Sequence, residues 1–191
     1  KEKLPILIKE IPFVEGLIHG IVKIYRPNGS PYIYQEYSHG KKHGKFKEIF
    51  SDKSPKVQGQ FTNNFSSGEW KIYQKQEGQN YLAQVKTHLE DGRSNLITFT
   101  NKGKKVTEEN YLGEYFDGEY STYFDNGGLK STGQYVLGKK ESIWRDFFSN
   151  GTPKSRKSFM MDQPHGPFQE WFEGSQGGKA QLKSKGAFVL G

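Results

Sequence analysis

The chain has no cysteine in 191 residues. That excludes a disulfide framework, a thiolate nucleophile and any zinc site built on sulfur. It also has no long apolar run. The longest stretch, "LPILIKEIPFVEGLI" (4–18), is interrupted by two prolines, a lysine and two glutamates, and falls short of the ~18 apolar residues of a membrane-spanning helix. Leu, Ile, Val and Phe make up roughly 23% of the chain, close to the level at which sequences stay unfolded. Catalytic signatures are missing too: there is no nucleophile elbow, no HExxH, and no glycine loop leading into a helix. Carboxylates are scattered along the chain, and no pair is set apart by spacing as a glycosidase requires.

What is present is aromatic. Phe, Trp and Tyr supply 15% of the residues, and the net charge of +7 is modest for the length. Rings bury much area per side chain, so a thin structure can be held by them where a deep aliphatic core is not affordable. These residues recur. Taking Gly44 of "GKKHGKFKEIF" (40–50) as a landmark, equivalents fall at Gly20, Gly44, Gly68, Asn95, Gly118, Ser142 and Gly166, spaced 24, 24, 27, 23, 24 and 24 residues apart. Two residues later come Val22, Phe46, Trp70, Ile97, Tyr120, Trp144 and Phe168. Five later come Tyr25, Ile49, Tyr73, Tyr123, Phe147 and Trp171, with Phe99 one place early. Seven before stand Phe13, Tyr37, Phe61, His88, Tyr111, Tyr135 and Phe159.

A fixed period of this length marks a repeat whose units bury their apolar face only by stacking on neighbours. Asn28-Gly29, Asn126-Gly127 and Asn150-Gly151 lie between aromatic-rich runs, which is the strongest short hairpin signal, because both turn residues must adopt positive φ. Each unit reads as strand, Asn-Gly turn, strand, charged turn, with "GKKHG" (40–44) reversing the chain into the next hairpin. "NYLAQVKTHLED" (80–91) carries apolar residues at helical spacing but also alternates, and the repeat register assigns it to a strand. The expected fold is all-β: an elongated single-layer antiparallel meander of about seven 24-residue hairpin repeats, with a partial repeat over 1–19 and units starting near 20, 44, 68, 95, 118, 142 and 166 of a continuous array over 20–191.

"GEWKIYQKQEG" (68–78), "GEYSTYFDNGGLKSTGQYVLGKK" (118–140) and "IWRDFFSNGTPKSRKSF" (143–159) resemble the bacterial variant of the MORN repeat. The resemblance extends from Phe13 to Gly191 and is weakest over Asn95–Gly113. It implies an interaction platform that dimerises or presents aromatic grooves to partners. Bacterial members are often labelled antitoxin components. Together with a chain that begins at Lys1 rather than Met, the resemblance points to a bacterial cell-envelope location, periplasmic or as a lipoprotein, with the cytoplasm as alternative.

The period of two places +2 and +5 residues on opposite faces. Phe46, Trp70, Tyr120, Trp144 and Phe168 form one candidate interaction face; Tyr25, Tyr73, Tyr123, Phe147 and Trp171 form the aromatics of the other. A row of rings in one layer cannot all be covered by its own chain, and exposed apolar patches mark docking sites. Lys41, Lys42, Lys104, Lys105, Lys139 and Lys140 form basic turns, read either as solubilising edge protection or as a rim for anionic lipid. The expected function is a non-catalytic scaffold binding a protein partner or a second copy through the aromatic face and edge strands. The alternatives are a cell-wall or glycan-binding module with one aromatic platform per repeat, and an anionic-membrane adaptor. Nucleic acid is disfavoured, because 21 acidic residues are interspersed with the 28 basic ones and the repeat already accounts for the rings. His19, His43 and His165 share one repeat position, but equivalents in successive hairpins are spaced about 10 Å apart, too far to share an ion. No metal or cofactor is expected.

Overall fold

The computed structural model describes residues 7–175 and 178–189. It is all-β, with seventeen strands and no helix among those residues. The chain falls into two compact units, Lys1–Glu90 and Asp91–Gly191. The first holds β1 (Lys9–Glu10), β2 (Phe13–Val14), β3 (Leu17–Ile18), β4 (Gly20–Tyr25), β5 (Pro31–Ser38), β6 (Lys41–Ile49), β7 (Pro55–Thr62), β8 (Phe65–Gln76) and β9 (Gln79–His88). The second holds β10 (Arg93–Phe99), β11 (Lys105–Leu112), β12 (Tyr115–Tyr123), β13 (Leu129–Val136), β14 (Lys139–Phe147), β15 (Pro153–Met160), β16 (Gln163–Trp171) and β17 (Leu182–Phe188).

Within each unit the strands follow one another as a single-layer antiparallel meander: β1-β4-β5-β6-β7-β8-β9 in the first, with β2–β3 as a separate two-stranded hairpin, and β10 through β17 in sequence order in the second. Residues 79–88 are strand, as the repeat register required. The three extra residues of that repeat go into the long β8–β9 hairpin, closed by Glu77–Gly78.

One layer leaves little interior. Among the described residues only Val22, Ile49, Ala83 and Trp144 are buried hydrophobics. Cohesion therefore rests on backbone ladders and on side chains packed across the sheet faces.

The turns differ from the sequence reading. At Asn28-Gly29, Asn126-Gly127 and Asn150-Gly151 only the glycine has positive φ (80°, 89° and 83°). The Gly29 amide donates to the Arg26 carbonyl and the Arg26 amide to Ser30, which describes a type I turn followed by a left-handed glycine rather than a two-residue turn. The asparagine contributes through its side chain: Asn150 Oδ1 accepts from the Thr152 amide at 3.0 Å and its hydroxyl at 2.7 Å.

Two-residue turns with positive φ at both residues close the other ends of the strands in each unit, at Glu15–Gly16, His39–Gly40 and Asn63–Asn64 in the first and at Leu137–Gly138 and Met161–Asp162 in the second. Glu77–Gly78 has the same form on the side of the Asn-Gly turns. "GKKHG" is accordingly not one turn. His39 and Gly40 reverse the chain, Lys41 already belongs to β6, and Gly44 sits inside that strand. There three residues (43–45) face the single Glu36 of β5, since Gln35 pairs Phe46 and Tyr37 pairs Lys42. The same irregularity recurs against Gly68, Gly118, Ser142 and Gly166. Glu36 packs over Gly44 and its Oε2 accepts from the Lys45 amide at 2.8 Å. The landmark is thus a bulge residue whose positive φ (99° at Gly44) and lack of Cβ are both used.

Candidate functional site

On one face the +2 rings alternate with the −7 rings of the following unit. In Lys1–Glu90, Trp70 stacks on Phe46 at 5.5 Å and meets the edge of Phe61 at 5.0 Å. In Asp91–Gly191 a continuous row runs Tyr111, Phe116, Tyr120, Tyr135, Trp144 and Phe159, with Tyr120–Trp144 at 5.9 Å and Tyr135–Trp144 at 5.0 Å. Phe168 pairs with Phe188 at 4.9 Å. Edge-to-face and offset contacts at these separations suit the ring quadrupoles.

The rings of the row cover one another in part. Trp144 is 6% exposed, and Phe46, Trp70, Tyr120 and Phe168 are half-buried. Two glycines make this possible. Gly59 and Gly133 stand across from Trp70 and Trp144, and a Cβ at either would overlap the indole. The Trp144 indole N–H donates to the Gln134 carbonyl at 3.3 Å.

The basic turns do not form one rim. Within Asp91–Gly191, Lys139 and Lys140 lie at the margin of two-residue turns, whereas Lys104 and Lys105 lie at the opposite one. Lys140 Nζ sits 4.3 Å over the Trp144 ring and 5.4 Å over Phe159, and Lys42 Nζ sits 5.0 Å over Phe61. In the unit of Gly118 the equivalent position is Phe116, stacked on Tyr135 at 5.1 Å. A lysine two before the landmark thus takes the place of a ring against the next unit's −7 aromatic. Lys41 is exposed, Lys104 Nζ donates to the Asp125 carbonyl at 2.9 Å, and Lys105 pairs with Glu108 at 2.8 Å.

Comparison of the sequence with protein-family models and with curated proteins gives no match. The site must be read from its own geometry.

The +5 aromatics lie half-buried on the other face, among charges. Tyr25 donates to Glu10 at 2.6 Å, and this bond, with Lys23 beside it, holds the Glu10 carboxyl below its ordinary range. Tyr123 donates to Glu108 at 3.2 Å and Tyr73 to Gln58 at 3.4 Å. Phe147 and Trp171 are half-buried. Burial first, then nearby Glu108, pushes the Tyr123 hydroxyl up. Among the described residues no group of three or more His, Cys, Asp or Glu is placed to hold a metal ion. His19 does meet a histidine, His39, edge to face at 5.1 Å.

The open apolar surface lies where the sequence reading placed charge, at the margin of two-residue turns. In Asp91–Gly191, Leu137 is 58% exposed and Met161 67%, with Tyr115, Val136 and Met160 also exposed. Leu137 and Met161 occupy the same place in consecutive units, and both have left-handed φ (45° and 50°). In Lys1–Glu90 the same kind of margin exposes Phe65, Leu17 and Val14. The sequence signal was the apolar pair "VL" and "MM" at −6 and −5, at a turn where Gly or Asn is conformationally preferred.

Beyond this margin, Asp91–Gly191 has a cleft of 460 Å³ walled by Phe148, in the five-residue turn after β14, and by Phe172, directly after β16. Lys157 pairs there with Glu170 at 2.9 Å, which holds that carboxyl below its ordinary range.

Proposed function

We propose that this chain is a non-catalytic scaffold of MORN-like hairpin repeats that associates with protein, in the first instance a second copy of itself, through the margin of its two-residue turns. The observation that carries this reading is the pair Leu137 and Met161. Left-handed φ costs an L-residue with a Cβ roughly 1–2 kcal/mol, and asparagine least among non-glycines. Leucine and methionine there gain little burial in return, since both residues are more than half exposed. A locally unfavourable choice repeated at equivalent positions is a sign that something outside the chain selects the side chain. The charges around the tips, Asp117, Glu141 and Asp162 beside Lys139 and Lys140, include both signs and so suit a self-complementary contact.

The test exploits the conflict between stability and docking. Leu137→Asn with Met161→Asn should raise stability by about 1 kcal/mol per site in urea unfolding, while sedimentation velocity shows any dimer of the parent chain shifted toward monomer. A stabilised double variant that assembles like the parent, or a parent that stays monomeric at high micromolar concentration, defeats the reading.

A further inference from the structure

We propose that the cleft between Phe148 and Phe172 binds a neutral, equatorially linked oligosaccharide. This site is separate from the turn margin above and goes beyond the scaffold reading.

It is lined by residues of β14, β15 and β16 and by Lys183 of β17, and walled by Phe148 after β14 and by Phe172 and Glu173 after β16. Phe148 and Phe172 are 24 residues apart at the same place in consecutive units. Two inter-strand spacings separate them, so they lie about 10 Å apart, on the scale of a disaccharide. Phe172 is 52% exposed. Lys154 Nζ approaches the Phe148 ring at 5.9 Å and Lys183 the Phe172 ring at 5.8 Å. Along the floor, Asp146 accepts from Ser155 Oγ at 2.6 Å and Glu170 from Ser184 Oγ of β17 at 3.2 Å.

The mixture of groups selects the ligand. An anion would face Asp146, Glu170 and Glu173; a cation would face Lys154, Lys157 and Lys183. A purely apolar ligand would strip water from both sets without replacing its hydrogen bonds. A hydroxyl donates to a carboxylate and accepts from an ammonium, so a neutral polyol satisfies both. The two rings, at equivalent places in consecutive units, require in addition flat C–H faces about 10 Å apart on one side of the ligand. Equatorially linked pyranoses provide such faces in an extended chain. Phe124, with Lys130 Nζ 5.9 Å from its ring, stands one unit further along and offers a third platform.

Calorimetric titration of the whole chain with cellotetraose and with chitotetraose tests this, with an oligogalacturonate of equal length as the anionic probe. A neutral probe should bind saturably, tighter as a tetramer than as a dimer. Phe172→Ala and Phe148→Ala should each weaken binding roughly tenfold, while leaving the sedimentation behaviour of the chain unchanged. Amide shifts in the parent chain should centre on residues 146–157 and 170–173. Those shifts decide the matter if Phe148→Ala does not fold. No saturable binding of either neutral probe at millimolar concentration, tighter binding of the uronate, or affinity unchanged in Phe172→Ala overturns the proposal.

Discussion

At the scale of single residues, two kinds of glycine have to be separated. Gly44 and Gly118 need their positive φ as well as the missing Cβ. Gly59 and Gly133 have ordinary backbone conformations, and what they supply is room for an indole. Gly133→Ala therefore incurs no conformational penalty, and its whole effect is overlap with Trp144. Overpacking of this kind costs about 1–3 kcal/mol. The expected result is a lower urea midpoint, with tryptophan emission shifted as the indole is displaced. Ala at Gly133 with unchanged stability would show that Trp144 does not depend on that contact. The sequence did contain the signal, since both glycines lie fifteen residues after a landmark. It was not legible because a lone glycine in a strand is equally compatible with a bulge.

At the scale of the element, the asparagines of the two Asn-Gly turns in Asp91–Gly191 also link to the next unit. Asn126 Oδ1 accepts from the Gly128 amide at 2.9 Å, and its Nδ2 donates to the Ser149 carbonyl of the next turn at 2.7 Å. Asn150 does the same, with Nδ2 to the Gly174 carbonyl at 2.7 Å. Asp52, at the equivalent place, closes its own turn onto Ser54 at 3.1 Å but has no N–H to give. It pairs with Lys75 instead, and that contact, then Ser54, holds its carboxyl well below the ordinary range. Asn150→Asp should therefore preserve the turn and lose only the rung, at about 1 kcal/mol, whereas Asn150→Ala loses both. Thermal unfolding should rank parent, Asp and Ala in that order; equal losses for the two variants would remove the rung as a contribution. The hairpin period, the strand over 79–88 and the opposite placement of +2 and +5 rings were all readable, because pattern at period two is set by the backbone alone. Which turn took which geometry was not readable. Asn-Gly favours a two-residue turn until the amide two residues after the Asn captures the side-chain oxygen, as at Ser30, Gly128 and Thr152.

At the scale of the whole molecule, the two units differ in how they hold tyrosine. In Asp91–Gly191 burial raises the hydroxyls of Tyr111, Tyr120, Tyr123 and Tyr135 above the ordinary 10.0, with Glu109 adding to the effect at Tyr111 and Tyr120. In Lys1–Glu90 Tyr25 is raised chiefly by its bond to Glu10 on an open surface. A group whose folded pKa lies above its unfolded value is neutral in both states at low pH, so its contribution is intact below 10. Above 10 the unfolded chain releases the proton first, and stability falls until the folded values are passed. Asp91–Gly191 should accordingly loosen before Lys1–Glu90 as pH climbs past 10. Hydrogen exchange resolved by peptide, read alongside tyrosinate absorbance, should show strands β11 to β14 opening first. Tyr120→Phe with Tyr135→Phe removes two of the ionising groups while keeping the rings, and the alkaline slope of stability should flatten in that variant. A parent chain whose two units open together, with the same slope as the Phe variant, would mean that the ring row of Asp91–Gly191 does not keep its hydroxyls from ionising.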